Sequence, residues 1–230
     1  MKITKTINAK FTYSSWTNSY NALVYKNMPL GYFKRGAIEG GLDNGCDVKA
    51  IINYIKNAQS ILEVGAGYGR VLDYIVKSGF KGELLALERE PKLCKILKQQ
   101  FKKVRIICED IRYFKLNQKF DLIVWFWAGL YDFAKTEQLL TLRNLVSHLN
   151  SSGFLIFDLI PFRDKTINTI DLDRHNRIIP TPYGDDKQYH PSAYEIKHYI
   201  QQLDLQKKAN IIYETKTAKK RNLYVLQKIK

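Results

Sequence analysis

Residues 60–70 read S-I-L-E-V-G-A-G-Y-G-R. A short apolar run ends on an acid, Glu63, and glycines then fall at every second position: Gly65, Gly67 and Gly69. A helical pattern follows at once, with Val71, Leu72, Ile75 and Val76 on one side. This is the sequence of a buried strand that stops at a glycine turn and feeds a helix. Glycines let a backbone approach a ligand with no side chain in the way. The dinucleotide fingerprint G-x-G-x-x-G spaces its last glycine differently. A phosphate-binding loop would need a Lys and a Ser or Thr after its glycines, and neither stands here.

Outward from this stretch the same unit repeats. Ser60–Val64 reads as a strand and Gly69–Ser78 as a helix closed by Gly79. Glu83–Glu88 is a second strand, and Pro91–Phe101 a helix with proline suited to its first turn. Val104–Cys108 is a third strand. Phe120–Phe126 is a fourth, nearly continuously apolar, as expected of a strand covered on both faces. Thr136–Leu149 is a helix, and Phe154–Ile160 a fifth strand. Ala193–Leu203 has helical spacing. Ala209–Thr217 and Asn222–Ile229 read as two strands joined at Lys219–Arg221, a basic turn expected to be a solvated tip. Alternating strands and helices predict an α/β fold with a doubly wound, mostly parallel sheet and helices on both faces.

Two regions fall outside this rhythm. Residues 1–45 read as an N-terminal helical extension or cap, interrupted at Pro29–Gly31 and Gly36–Gly45. Its aromatic face near Tyr13, Trp16 and Tyr20 suits either a lid or ordinary packing on the core, and aromatic rings can also hold a cationic amine. Residues 46–230 form the main domain, with a short helix over Asp47–Lys56. Within it, residues 163–191 are polar, hold three prolines and show little periodicity; they read as a variable substrate-side insert.

Composition bounds the rest. The chain has 230 residues, 45% hydrophobic and 26% charged, enough to bury one sizeable core. No run approaches the roughly 18 apolar residues of a membrane helix. Cys46, Cys94 and Cys108 are odd in number and lack metal-ligand spacing, which fits reduced cysteines and a cytoplasmic protein. The net charge of +15 would attract nucleic acid or another anionic partner, yet the lysines are scattered rather than blocked.

In an open parallel sheet, ligands bind beyond the carboxyl ends of the strands. Glu88 closes the second strand and can accept hydrogen bonds from both hydroxyls of a ribose; the alternative is an exposed strand-end acid. Asp110, in C-E-D-I, can accept from an adenine amine while the amide of Ile111 reaches a ring nitrogen; it could equally cap a turn. Glu109 is the neighbouring carboxylate. The series L-E-V-G-A-G-Y-G, L-A-L-E, C-E-D-I, F-D-L-I-V-W and G-F-L-I-F resembles that of class I S-adenosylmethionine-dependent methyltransferases over roughly residues 48–160.

The resemblance implies a seven-stranded sheet ending in an antiparallel β-hairpin. It implies S-adenosylmethionine as donor and S-adenosylhomocysteine as product. Glu63 and the Gly65–Ala66–Gly67 turn would hold the amino-acid part, with Gly69 completing the motif. Glu88 and Arg89 would lie at the ribose, Asp110 and Ile111 at the adenine, and Trp125 beside the methionine. No N-P-P-Y follows the fourth strand, and no Pro-Cys nucleophile is present. These departures argue against adenine-N6, glutamine-amide and covalent cytosine methylation. The segment W-F-W-A-G-L-Y-D-F is more similar in layout to methyltransferases of small molecules. A small-molecule acceptor methylated at N or O is therefore the expectation, with RNA or protein acceptors the alternative that the basic charge allows, and a non-catalytic binding module a third.

In-line transfer needs positioning, exclusion of water and sometimes a base. Tyr131 and Asp132, just after the fourth strand, are the best-placed candidates, although Tyr131 could simply pack and Asp132 could cap the helix near Thr136. His175, Tyr183 and His190 are further acceptor-side candidates. No carboxylate–histidine cluster suggests a metal.

Overall fold

The computed structural model describes residues 18–160 and 169–229. Its main sheet has seven strands in the order β3-β2-β1-β4-β5-β10-β9. These are β1 (Ser60–Val64), β2 (Glu83–Glu88), β3 (Arg105–Cys108), β4 (Phe120–Trp125), β5 (Leu149–Leu159), β9 (Leu205–Glu214) and β10 (Lys220–Lys228). β1 pairs in parallel with β2 and β4, β2 with β3, and β4 with β5. β10 runs antiparallel to both β5 and β9, the expected hairpin. The helices are α1 (Asn18–Asn27), α2 (Leu30–Glu39), α3 (Cys46–Ala50), α4 (Ile52–Asn57), α5 (Arg70–Lys77), α6 (Pro91–Gln100), α7 (Lys135–Ser147) and α8 (Ala193–Gln202).

Side chains alternate across the strands and feed two cores. Ile61, Ala86, Leu122, Val124 and Ile156 join a cluster with Val48, Ile51, Leu72, Ile75 and Leu97. Leu62, Val64, Leu85, Ile123, Trp125, Leu155 and Phe157 join the other, with Leu142, Leu145 and Tyr199. The central strands are therefore apolar on both sides, as a doubly covered sheet requires.

Several local expectations are corrected. Residues 169–191 are not irregular: β6 (Ile170–Asp171), β7 (Asn176–Thr181) and β8 (Gly184–Tyr189) form a small antiparallel sheet. Gly31 and Gly36 do not break the chain but lie inside α2. The expected helix over Asp47–Lys56 is two, parted at Ile51, whose φ of −114° and ψ of 17° leave helical geometry. Cys94 and Cys108 are joined as a disulfide with Cα atoms 5.9 Å apart, not both reduced; α6 brings the first turn of its helix over the end of β3, which residue spacing alone does not reveal. Lys219–Arg221 is a solvated tip only in part: Lys220 is exposed, but Arg221 is buried and pairs with Asp158 at 3.0 Å. Tyr13 and Trp16 lie outside the described residues; Tyr20, in α1, is exposed.

The glycine after β1 that packing most constrains is Gly69. It has φ of +88°, and an added Cβ would sit 2.4 Å from the Phe101 ring and 2.9 Å from Leu97 Cδ2. It lets α5 begin flush against α6. Gly69→Ala is expected to cost about 2–4 kcal/mol through overpacking and backbone strain, read by urea unfolding; a loss below about 0.5 kcal/mol would contradict this packing role.

Candidate active site

The site is built at the carboxyl ends of β1, β2 and β4. The chain leaves β1 through Gly65 (φ +65°) and Gly67 (φ +57°), conformations that a side chain disfavours. The N–H groups of Gly65 and Ala66 both donate to Leu87 O, at 2.8 and 3.1 Å, so the turn hangs from β2. Glu88, buried at the end of β2, accepts from Gly67 N at 2.7 Å and from Glu90 N at 2.8 Å. Burial raises its pKa, and those two N–H bonds oppose the rise. Each carboxylate oxygen keeps a lone pair for a further donor.

Glu63 lies beneath the turn. It is buried, and among the described residues its Oε2 has no hydrogen-bond partner. Burial pushes its pKa well up, against the pull of Arg70. Arg70 opens α5 and is buried too. Its guanidinium forks onto Asp47 at 2.9 and 2.5 Å and donates to Leu42 O at 3.0 Å, while its Nε finds no partner among the described residues. An orphaned carboxylate oxygen and an orphaned guanidinium N–H beside an open glycine turn fit a zwitterionic amino-acid group. An added Cβ at Gly67 would meet nothing nearer than Gly65 O at 3.9 Å, so this glycine leaves open space rather than tight packing.

One cavity of about 860 Å³ extends from this turn. Glu63, Gly65, Ala66, Gly67, Glu88, Arg89, Ile111, Trp125 and Asp132 all line it, which brings most of the sequence-derived candidates together. Gly69 is not on its wall. Asp110 is not either: Arg112 holds both of its oxygens, with Nε to Oδ1 at 3.0 Å and Nη2 to Oδ2 at 2.8 Å. Burial alone would raise the Asp110 carboxyl, but these bonds bring it below the usual range. The wall there is made by Glu109 and Ile111.

On the far side, Tyr131 is buried. Its hydroxyl donates to Ile160 O at 2.8 Å, and its ring lies 3.8 Å, centroid to centroid, from that of His190. It stays off the cavity wall, and burial raises its pKa. Asp132 does face the cavity, and burial pushes it up to about 6. Burial, and then Asp132, raise Asp186 well above its ordinary value. Tyr25 OH donates to Asp186 Oδ1 at 3.3 Å. Burial lowers His190, on the wall, to about 3, so its imidazole is neutral at pH 7. His175 instead contacts His190 O through Nδ1 at 2.9 Å, and Tyr183 meets the Tyr32 ring edge-on; neither lines the cavity.

Tyr25, Arg177, Asp186 and Arg221 escaped sequence reasoning. They come from α1, the small sheet and β10, and only the fold brings them to the same space. Asn21 fixes this roof. Its amide donates to Lys187 O at 2.7 Å and to Asp132 O at 3.2 Å, and accepts from Lys187 N at 3.0 Å. Lys92 on α6 donates to the carbonyls of Tyr25, Lys26 and Met28 at the end of α1. Among the described residues no His, Cys, Asp and Glu group could hold a metal ion, and no helix is long and apolar enough to cross a membrane.

A family profile described as a methyltransferase domain matches residues 61–153. No curated protein matches the chain by sequence. Among solved structures it is similar to magnesium protoporphyrin IX methyltransferase from Synechocystis PCC 6803 with bound S-adenosylmethionine, at TM-score 0.66 and 12% identity over 94% of this chain and 99% of that one. An S-adenosylmethionine-dependent methyltransferase from Clostridium acetobutylicum ATCC 824 gives 0.63 and 13% over 92% and 97%. An amino pentose methyltransferase of calicheamicin biosynthesis from Micromonospora echinaspora gives 0.60 and 15% over 93% and 97%. At these identities the likeness is one of fold.

Gly67 on the cavity wall and Gly69 behind it separate binding from stability. Gly67→Val is expected to leave a folded protein, by circular dichroism, that no longer binds S-adenosylhomocysteine in calorimetry; near-native affinity would remove the turn from the site. Glu88→Ala should weaken the same binding by about 1–3 kcal/mol, the cost of leaving buried polar partners unpaired, and an unchanged dissociation constant would contradict its role.

Proposed function

We propose that this chain, in which a methyltransferase-domain profile matches residues 61–153, is a class I S-adenosylmethionine-dependent methyltransferase that transfers a methyl group to nitrogen or oxygen of a small-molecule acceptor by in-line displacement. The observation that carries this reading is one continuous cavity. The glycine turn and Glu88 form one end, while α1, α2 and the small sheet roof the other. A roofed cavity of this size suits a donor and a small acceptor side by side. Several basic side chains are occupied within the fold: Lys92 caps α1, Lys228 donates to Val146 O and Leu149 O, and Arg221 pairs with Asp158. These groups are tied up within the fold rather than presented as one basic face, which weighs against an RNA or protein acceptor. Two of the fold neighbours are described as acting on an amino pentose and on magnesium protoporphyrin IX, both small molecules.

S-adenosylmethionine, when bound, supplies an electrophilic methyl on a sulfonium. The rest falls to the chain. Glu63 accepts from the ammonium of the amino-acid part, and the Gly65–Gly67 turn receives it without side-chain obstruction. Glu88 accepts from the ribose hydroxyls beside Arg89, and Glu109 and Ile111 flank the adenine, with Asp110 held behind them by Arg112. The roof excludes water and aligns the acceptor. Asp132 takes the proton that the acceptor N–H or O–H gives up. Burial holds Asp132 at about 6, so that it is largely ionised at neutral pH, and burial and Asp132 together raise its neighbour Asp186. A base whose pKa lies near the working pH is efficient.

Saturating S-adenosylhomocysteine, at about 100 times its dissociation constant, should stabilise the chain by about 2.7 kcal/mol and raise its Tm by roughly 5–10 °C. No shift in a thermal melt would remove the base of this reading. Against a panel of small amines and alcohols, transfer should rise from pH 5 to 7 as Asp132 loses its proton above about 6. Asp132→Asn should lose about 10²–10⁴-fold in kcat and flatten that rise while binding S-adenosylhomocysteine normally. A variant with the parent rate and pH profile would exclude Asp132 as the base.

A further inference from the structure

Between the glycine turn and the roof lies a backbone segment whose conformation no glycine explains. Trp127 and Ala128, one residue beyond β4, have φ of +66° and +54°. Side-chain-bearing residues hold such angles in succession only where their surroundings impose them. The restraint is Asp158, fully buried near the end of β5. Its Oδ1 accepts from Ala128 N at 2.7 Å. Its Oδ2 accepts from Arg221 Nη1 at 3.0 Å and from Tyr213 OH at 3.3 Å. The carboxylate is thus fixed from β9 and β10 and clamps the turn that follows β4.

The clamped turn reaches the donor end through one indole. A Cβ at Gly129 would lie 2.2 Å from Trp125 Nε1, and a Cβ at Gly65 would lie 3.8 Å from the same atom. Trp125 is therefore held between the turn at 127–129 and the turn after β1. The Trp127 indole extends the other way. It lies 3.4 Å from the Cβ position of Gly36 in α2, with the Arg70 guanidinium 5.9 Å from its ring centroid. Movement of Ala128 would displace both indoles, one against the glycine turn and one against the roof.

We propose that Asp158 is a positioning residue of the transfer site: braced by Arg221 and Tyr213, it holds Trp127–Ala128 in the left-handed conformation and so sets Trp125 against Gly65. This rests on the donor-site reading above. Asp158 lies behind the wall of the cavity and acts through the turn alone. Glycine adopts positive φ without a restraint, so a glycine at position 128 should relieve the need for the clamp.

The test uses the full chain. Asp158→Ala combined with Arg221→Met removes both charges, so neither is left buried and alone. Its affinity for S-adenosylhomocysteine should fall about tenfold or more, as for a lost hydrogen bond to a charged group. Adding Ala128→Gly should restore affinity to within about threefold of the parent, because glycine needs no clamp there. A merely structural role would lower Tm without moving the dissociation constant and would gain nothing from the glycine. Parent-like affinity in a folded double variant, or no recovery with Ala128→Gly, overturns the proposal. Should the double variant not fold, amide exchange in the unsubstituted chain decides. Ala128 N–H should be protected by at least about a hundredfold without ligand, and exchange at the free-peptide rate overturns the clamp. If the unsubstituted chain fails to bind S-adenosylhomocysteine, the donor reading falls, while the exchange result still stands for or against the clamp.

Discussion

The bond from Gly67 N to Glu88 Oε2, 2.7 Å long, is where fold and site meet. It joins the turn after β1 to the last residue of β2, and Glu90 N occupies the other oxygen of the same carboxylate. The turn therefore cannot drift from the neighbouring strand. Once it is fixed, α5 must begin at Arg70, whose guanidinium reaches back to Asp47 on α3. That pair is buried, and breaking one partner of such a pair typically costs about 3–5 kcal/mol. The same carboxylate that braces the backbone still has lone pairs facing the cavity. On the proposed reading, stability and ligand recognition use one group.

The roof depends on a second set of polar bonds. Asn21 ties α1 to β8 and to the carbonyl of Asp132. Gln138 on α7 donates to the carbonyls of Leu130, Phe133 and Tyr189, so the short 3-10 helix Gly129–Asp132 is held from two sides. Both amides are buried, with several partners each. Such networks fix one arrangement because leaving any member unpaired is costly. Asp132 is accordingly presented to the cavity by its backbone, while its low-dielectric surroundings raise its pKa.

The repeating strand–helix core was legible because its residues face two apolar layers, and apolar spacing reports that directly. That Gly65, Gly67 and Glu88 meet at one turn was legible because a turn with positive φ directly after a strand calls for glycine, and an acid ending the next strand can hold it. The small sheet was not, and the reason is physical. Its strands N-R-I-I-P-T and G-D-D-K-Q-Y present Arg177, Asp186 and Gln188 to a cavity rather than apolar groups to a core. Hydrophobic alternation has nothing to mark there. Asp110 was misleading in a different way. Its partner Arg112 stands two residues on, and the turn that Asp110 begins brings the guanidinium back onto the carboxylate. Arg221 looked like part of a basic tip, but β10 starts beside the carboxyl end of β5, with Asn222 opposite Leu159, so its side chain enters at the site.

The central claim is that one cavity joins a donor cradle at Glu63–Glu88 to an acceptor space under the roof. A crystal structure of the chain with S-adenosylhomocysteine tests it most directly. The account predicts the ribose hydroxyls on Glu88, the amino-acid group at Glu63 and Gly65–Gly67, and the sulfur facing the space bounded by Asp132 and Asp186. A ligand bound elsewhere, or a sulfur turned away from Asp132, would contradict it.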